Sequence, residues 1–216
     1  MKLYGYFRSS ATYRVRIALG LKGLAWQTEV VDLRAPASAQ HTREFRALNP
    51  HGLIPVLVDG EHTLTQSLAI LEYLEETHPQ PPLLPHAPAE RAAVRALALA
   101  IACDIHPLDN LRVLNYLRTQ FDCEEDAVNA WYAHWIALGF AALERDALRL
   151  SGDGRHMYGD SVTLADVCIV PQMANARRFN CDTTPYPALR AICAHLESLP
   201  AFAQAAPQVQ PDASPA

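Results

Sequence analysis

Residues 78–88, His-Pro-Gln-Pro-Pro-Leu-Leu-Pro-His-Ala-Pro, put five prolines into eleven positions. Proline has no amide hydrogen and a fixed φ, so the run fits neither a helix interior nor an internal strand. It reads as a semi-rigid linker between two parts of different periodicity. The expected organisation is a first domain over 1–78, a linker over 79–88, a second domain over 89–205 and a tail over 206–216. The tail carries Pro207, Pro211 and Pro215 and is expected to be disordered or loosely docked.

Before the linker, strand-like and helix-like runs alternate. Leu3–Phe7 is strand-like, Tyr13–Lys22 is helical and closes at Gly23, and Trp26–Leu33 is a second strand. A polar helix covers Thr42–Ala47. Pro55–Val58 and Glu61–Leu64 flank Asp59-Gly60, a hairpin signal. Ser67–Thr77 then repeats Leu68, Leu71 and Leu74 on one helical face. The order is βαβαββα, a mixed sheet covered by helices. Beyond the linker the pattern is helical throughout: 89–105, a break at Pro107, resumption through Arg118, then 125–149, Thr163–Phe179 and Pro187–Leu196.

Composition excludes several classes. Half of the 216 residues are hydrophobic and the net charge is −5, which suits a globular core and argues against nucleic-acid binding through a basic surface. No apolar run approaches the roughly 18 residues of a membrane span. Met1-Lys2 leads straight into a strand-like segment, without the apolar core of a signal peptide. Five scattered cysteines make no Cys-x-x-Cys and no disulfide framework, so a cytoplasmic setting is expected. Cys103, Asp104 and His106 cluster without a metal-ligand spacing, and no metal is expected.

Three segments carry candidate chemistry. Ser9 and Ser10 open a helix between Arg8 and Arg14. Hydroxyls there can cap orphan amides, and the positive helix end also suits an anion such as a thiolate or carboxylate. Ile54-Pro55 precedes an apolar strand: Pro55 is either a cis turn that leaves the Ile54 backbone open to an extended peptide, or an ordinary edge-strand proline. Gln66-Ser67 opens another helix, as a cap or as a carboxylate receptor. Thr163-Leu-Ala-Asp166 has the spacing of a capping box, which makes Asp166 structural.

These segments read Ser-Ser-x-x-Tyr-Arg-Val-Arg-Ile-Ala-Leu, Ala-Leu-Asn-Pro-x-Gly-x-Ile-Pro-Val-Leu and Gln-Ser-Leu-Ala-Ile-Leu-Glu-Tyr-Leu. Together with Cys103–Leu114, Gly159–Asp166, Asn175–Phe179 and Thr184–Pro187, they resemble the zeta class of the glutathione S-transferase superfamily over residues 1 to 211. That class includes maleylacetoacetate isomerases and bacterial maleylpyruvate isomerases. The resemblance implies a thioredoxin-like α/β N-terminal domain, an all-α C-terminal domain (the glutathione transferase fold), a homodimer and glutathione as cofactor. It implies that Ser9, with Ser10 beside it, donates to the glutathione sulfur. Pro55 is then the cis-proline, Ile54 pairs its backbone with the cysteinyl unit, Gln66 and Ser67 hold the γ-glutamyl carboxylate, and His106 and Asn110 reach glutathione from the second domain. Arg8, Arg112, Arg177 and Arg178 are the candidates for a small dicarboxylate substrate.

One departure is informative. Zeta enzymes commonly carry cysteine after the two serines and tryptophan two places later, where this chain has Ala11 and Tyr13. Any sulfur chemistry at this site therefore belongs to glutathione. The implied activity is glutathione-dependent cis–trans isomerisation of maleylacetoacetate or maleylpyruvate, with Ala11 and the Arg177-Arg178 pair tilting toward the latter. Two alternatives stand beside it: conjugation or dehalogenation of small α-halo acids, and a non-catalytic binding module.

Overall fold

The computed structural model describes residues 1–34 and 38–213. The chain divides into two compact units, one of residues 1–82 together with those from Leu199 onward, the other of Leu83–Ser198. The break falls inside the proline run. Residues 199–205, expected in the second domain, belong to the first unit, for reasons given below.

The first unit holds β1 (Lys2–Gly5), α1 (Ser10–Leu21), β2 (Gln27–Val30), α2 (Arg43–Leu48), β3 (Val56–Asp59), β4 (His62–Thr65) and α3 (Ser67–Thr77), the βαβαββα order expected. The sheet order is β2-β1-β3-β4, with β1 parallel to β2 and the other pairs antiparallel. Alternation along each strand divides the faces. Leu3 lies opposite Leu57, and both are fully buried. Tyr4, Val56 and Val58 point the other way, into a cluster with Val31 and Phe45, the latter from α2.

Helix α1 begins at Ser10, the helix entrance expected from Ser9-Ser10 and three residues ahead of the helical run from Tyr13. The Ser9 hydroxyl accepts from the Thr12 amide at 3.2 Å, and this cap holds the first turn in helical geometry. The helix closes at Gly23, whose φ of +65° favours a residue without a β-carbon. Gly5 is required for another reason: a β-carbon there would collide with the Thr12 side chain, so α1 approaches β1 only because residue 5 is glycine. Helices α1 and α3 pack on each other. They are tied by Lys22, whose ammonium sits 2.6 Å from the Glu75 carboxylate and 2.8 Å from the Pro81 carbonyl.

In the second unit α4 (Pro88–Leu99) runs into a wider, π-helical segment at 100–105. It is followed by α5 (Leu111–Gln120), α6 (Glu125–Leu150), α7 (Leu164–Arg178) and α8 (Pro187–Glu197). Helix α7 is the buried centre and packs on α4 and α8. Its start is the capping box read from sequence. The Asp166 carboxylate, fully buried, accepts from the Thr163 amide at 2.7 Å, the Thr163 hydroxyl at 2.8 Å and the Met157 amide at 2.7 Å.

The C-terminal segment departs from expectation. Residues 200–205 form a further helix, α9, a single 3₁₀ turn follows at 207–209, and Asp212 bonds to the backbone of residue 7. Pro200 and Pro207 occupy first-turn positions, where proline costs no hydrogen bond, so these prolines start helical turns rather than prevent them. The segment is docked through residue 213; the last three residues of the expected tail lie outside the described part. Among the described residues no helix is long and apolar enough to cross a membrane.

Because three donors converge on the buried Asp166 carboxylate, Asp166→Ala should destabilise the protein by roughly 3 kcal/mol or more. Urea unfolding of the two proteins measures the difference.

Candidate active site

Strand register brings the first unit's candidates together. Tyr4 pairs with Val56, and Val56 pairs with Thr65. The residues that follow Tyr4, precede Val56 and follow Thr65 therefore leave the sheet at one end. They are the loop into Ser9 and Ser10, the Ile54-Pro55 dipeptide, and Gln66-Ser67.

Each of the three arrives in a form that suits an anionic, extended ligand. Ser9 is half-buried, and its oxygen already accepts the Thr12 amide, which leaves its O–H to donate outward. Ser10 is buried as the first residue of α1, and Arg8 is exposed with its guanidinium 5.0 Å from the Phe7 ring centroid. The Ile54–Pro55 bond is cis, and Ile54 lies just outside the ladder that ends at Val56.

Gln66 has a φ of +66° and makes no side-chain cap, so the first amides of α3 are not covered by the residue before them. Ser67 is buried, and its oxygen accepts from the buried Arg14 guanidinium at 3.3 Å. Its own O–H is thereby left to donate beside the α3 amides. A positive helix end backed by an arginine is a place for a carboxylate. From the sequence Arg14 is a cation beside the start of α1; its tie to α3 crosses 53 positions. The signal available was a charged residue inside an apolar helical run.

In the second unit, His106 follows the π-helical segment, and Asn110 caps α5 by accepting from the Arg112 amide at 3.1 Å. Arg112 is exposed. The two candidate arginines at the end of α7 differ. Arg177 is committed to Glu197, with Nη1 2.6 Å from Oε1. Arg178 lies 4.8 Å from the Phe179 ring centroid, and Tyr132 stacks on Phe179 at 3.8 Å.

Asp109, not singled out by sequence reading, is buried in this unit, and neither carboxylate oxygen has a hydrogen-bond partner among the described residues. Burial pushes its pKa up to about 8. Its charge would act on Tyr132 and on Cys181, whose thiol burial pushes up to about 11. Nothing in the local pattern separates this acid from a solvated one, because its burial is tertiary. Among the described residues no three His, Cys, Asp or Glu side chains converge as a metal site would require.

A four-stranded sheet that offers two helix N-termini and a cis-proline at one end, joined to a helical second unit, defines a glutathione-binding transferase architecture. Residues 3–82 match the family model of the glutathione S-transferase N-terminal domain. The chain is 53% identical to a probable maleylacetoacetate isomerase of Vibrio cholerae, covering 98% of this chain and 97% of that one. It superposes on the holo structure of a bacterial zeta-class maleyl pyruvate isomerase with a TM-score of 0.96, at 47% identity and 99% and 100% coverage. It also superposes on a maleylacetoacetate isomerase of Methylobacterium extorquens AM1 with bound malonate and glutathione. That match has a TM-score of 0.94 at 41% identity, with both chains fully covered. The chain belongs to the zeta class of the glutathione S-transferase family.

The unpartnered Asp109 makes a pH prediction. Its folded pKa lies above the roughly 3.9 of an unfolded aspartate, so the folded chain binds the extra proton between those values. This contribution is complete below the unfolded pKa and is lost as pH rises through about 8. Asp109→Asn should therefore flatten the fall in stability across that window, as read by urea midpoints at acidic, neutral and mildly alkaline pH.

Proposed function

We propose that this chain is a glutathione-dependent cis–trans isomerase acting on a maleyl keto-diacid, maleylacetoacetate or maleylpyruvate, to give the fumaryl isomer. The observation that carries this reading is the convergence of Ser9, Ile54-Pro55 and the Arg14-backed Ser67 at one end of the sheet. Those groups fit glutathione part by part: a hydroxyl donor for sulfur, the Ile54 backbone just outside the ladder for the peptide and a helix N-terminus for the γ-glutamyl carboxylate. His106 and Asn110 add to glutathione binding from the second unit. The enzyme works as a homodimer in the cytoplasm.

When bound, glutathione supplies a thiolate that adds reversibly to the activated double bond, which can turn while it is single. The chain's own residues make this possible. Ser9 donates a hydrogen bond to the sulfur, and the N-terminus of α1 contributes its dipole. Together they favour the anion by an amount equivalent to about one to two pKa units, at roughly 1.4 kcal/mol per unit. Ser9 keeps its own proton throughout, so no general base is needed. Ala11 keeps any protein thiol out of the first turn.

The arginines serve the diacid. Arg8 and Arg112 are exposed cations with planar forks suited to carboxylates. Of the adjacent pair, Arg178 takes the substrate role, because Arg177 is already held by Glu197. These cations also stabilise the negative charge that develops on the keto group.

Ser9→Ala should lower kcat at least about a hundredfold, the scale of one lost donor to a developing charge, while far-UV circular dichroism stays unchanged. A spectrophotometric assay with both keto-diacids reads this, and undiminished turnover refutes the role of Ser9. In the same assay Arg178→Ala should raise the KM for the diacid about tenfold, and Arg177→Ala should change it by less than about twofold, since only the former removes a charge-assisted contact to substrate.

A further inference from the structure

We propose that the C-terminal segment is a strap that sets the loop carrying Ser9, with Asp212 as a positioning residue for that serine. The inference rests on the role given to Ser9 above and extends it to a residue 203 positions away in the chain.

The loop between β1 and α1, Tyr6 to Ser9, lies outside both regular elements. Its backbone is held from the C-terminal segment and by α1. The Phe7 amide donates to Asp212 Oδ2 at 2.9 Å. The Phe7 carbonyl accepts from Arg16 Nη2 at 3.1 Å, and Arg16 Nε donates to the Ala205 carbonyl at 2.9 Å. One buried guanidinium thus bolts the loop to the last turn of α9. The Tyr13 hydroxyl adds a bond to the Phe202 carbonyl at 3.3 Å. Gln210 Nε2 donates to the carbonyls of Gln204 and Ala206, both at 2.9 Å, which fixes the strap on the end of α9. Two residues beyond Phe7, the Ser9 amide donates back to the Tyr6 carbonyl at 3.0 Å.

Electrostatics explains why an acid stands at 212. Burial of Arg16 costs solvation, and it lowers that pKa only to about 10, so the guanidinium stays charged at neutral pH. The Asp212 carboxylate counters the charges of Arg16 and Arg34. The Tyr6 ring, 6.0 Å from the Arg34 guanidinium, also feels the charges of Asp32 and Arg8. A carboxylate accepting a backbone amide makes a stronger bond than a neutral acceptor would. The distance tolerance of the chemistry makes this matter: a displacement of about 1 Å at a reacting group can cost about a hundredfold in rate.

The test uses Asp212→Ala, Asp212→Asn, Ser9→Ala and the double variant S9A/D212A, all in the full chain. In D212A, amide hydrogen exchange at Phe7 in the ligand-free protein should accelerate at least about tenfold as its acceptor is lost, and kcat should fall by about the same factor with KM for the diacid nearly unchanged. D212N should recover most of both losses, because its amide oxygen still accepts from Phe7. On top of S9A, D212A should cost less than about twofold in kcat, since it acts through the serine.

Wild-type Phe7 exchange or wild-type kcat in D212A overturns the proposal, and so does a lowered melting temperature with unchanged kcat. An equal loss from D212A in both serine backgrounds, or a D212N as impaired as D212A, overturns it too. If S9A itself keeps full turnover, the reading of Ser9 fails and the positioning role with it. If S9A is impaired and D212A is not, the strap alone fails.

Discussion

The pairing of Tyr4 with Val56 and of Val56 with Thr65 is the constraint on which the candidate site depends. A strand's register fixes which face every side chain takes and where the chain leaves the sheet. Here it delivers three chain segments to one end, two of them entering helices. Both α1 and α3 then present positive ends to the same region, backed by the buried Arg14 guanidinium. Gly5 lets α1 approach closely enough to take part, and the Arg14–Ser67 bond ties the two helix starts together.

The side chains at these helix starts use their hydrogen-bonding capacity in a consistent way. Ser9 accepts from a backbone amide, and Ser67 accepts from a guanidinium. Each serine thereby spends a lone pair on the protein and retains its proton for a ligand. Capping and anion binding are alternative uses of the same residues in the sequence; in the structure the Ser9 hydroxyl caps Thr12, and a hydroxyl that accepts in this way still has a donor for an anion.

What the sequence disclosed follows the range of the interactions. Helix α3 was legible residue by residue, because a hairpin turn, a serine at the start and a leucine repeat all act locally. The capping box at Thr163 and Asp166 was legible for the same reason. The start of α1 was legible in Ser9-Ser10, since a hydroxyl pair ahead of a helical run is a local cap signal. The turn at 207–209 was not legible, because a proline signals a break in the middle of a helix but not in its first turn, where Pro207 stands. Asp109, Arg16 and Asp212 were invisible as structural residues: each owes its environment to chain segments or burial that no local period encodes. Arg16 and Asp212 meet Ala205 and Phe7 across 189 and 205 positions.

The central claim is that this end of the sheet, through Ser9 and the start of α1, turns bound glutathione into a thiolate near neutral pH. Titration of the ultraviolet thiolate absorbance of glutathione in complex with the enzyme measures this directly. The expected apparent pKa lies at least about one unit below the roughly 8.5 of a free thiol. A titration indistinguishable from that of free glutathione would contradict it.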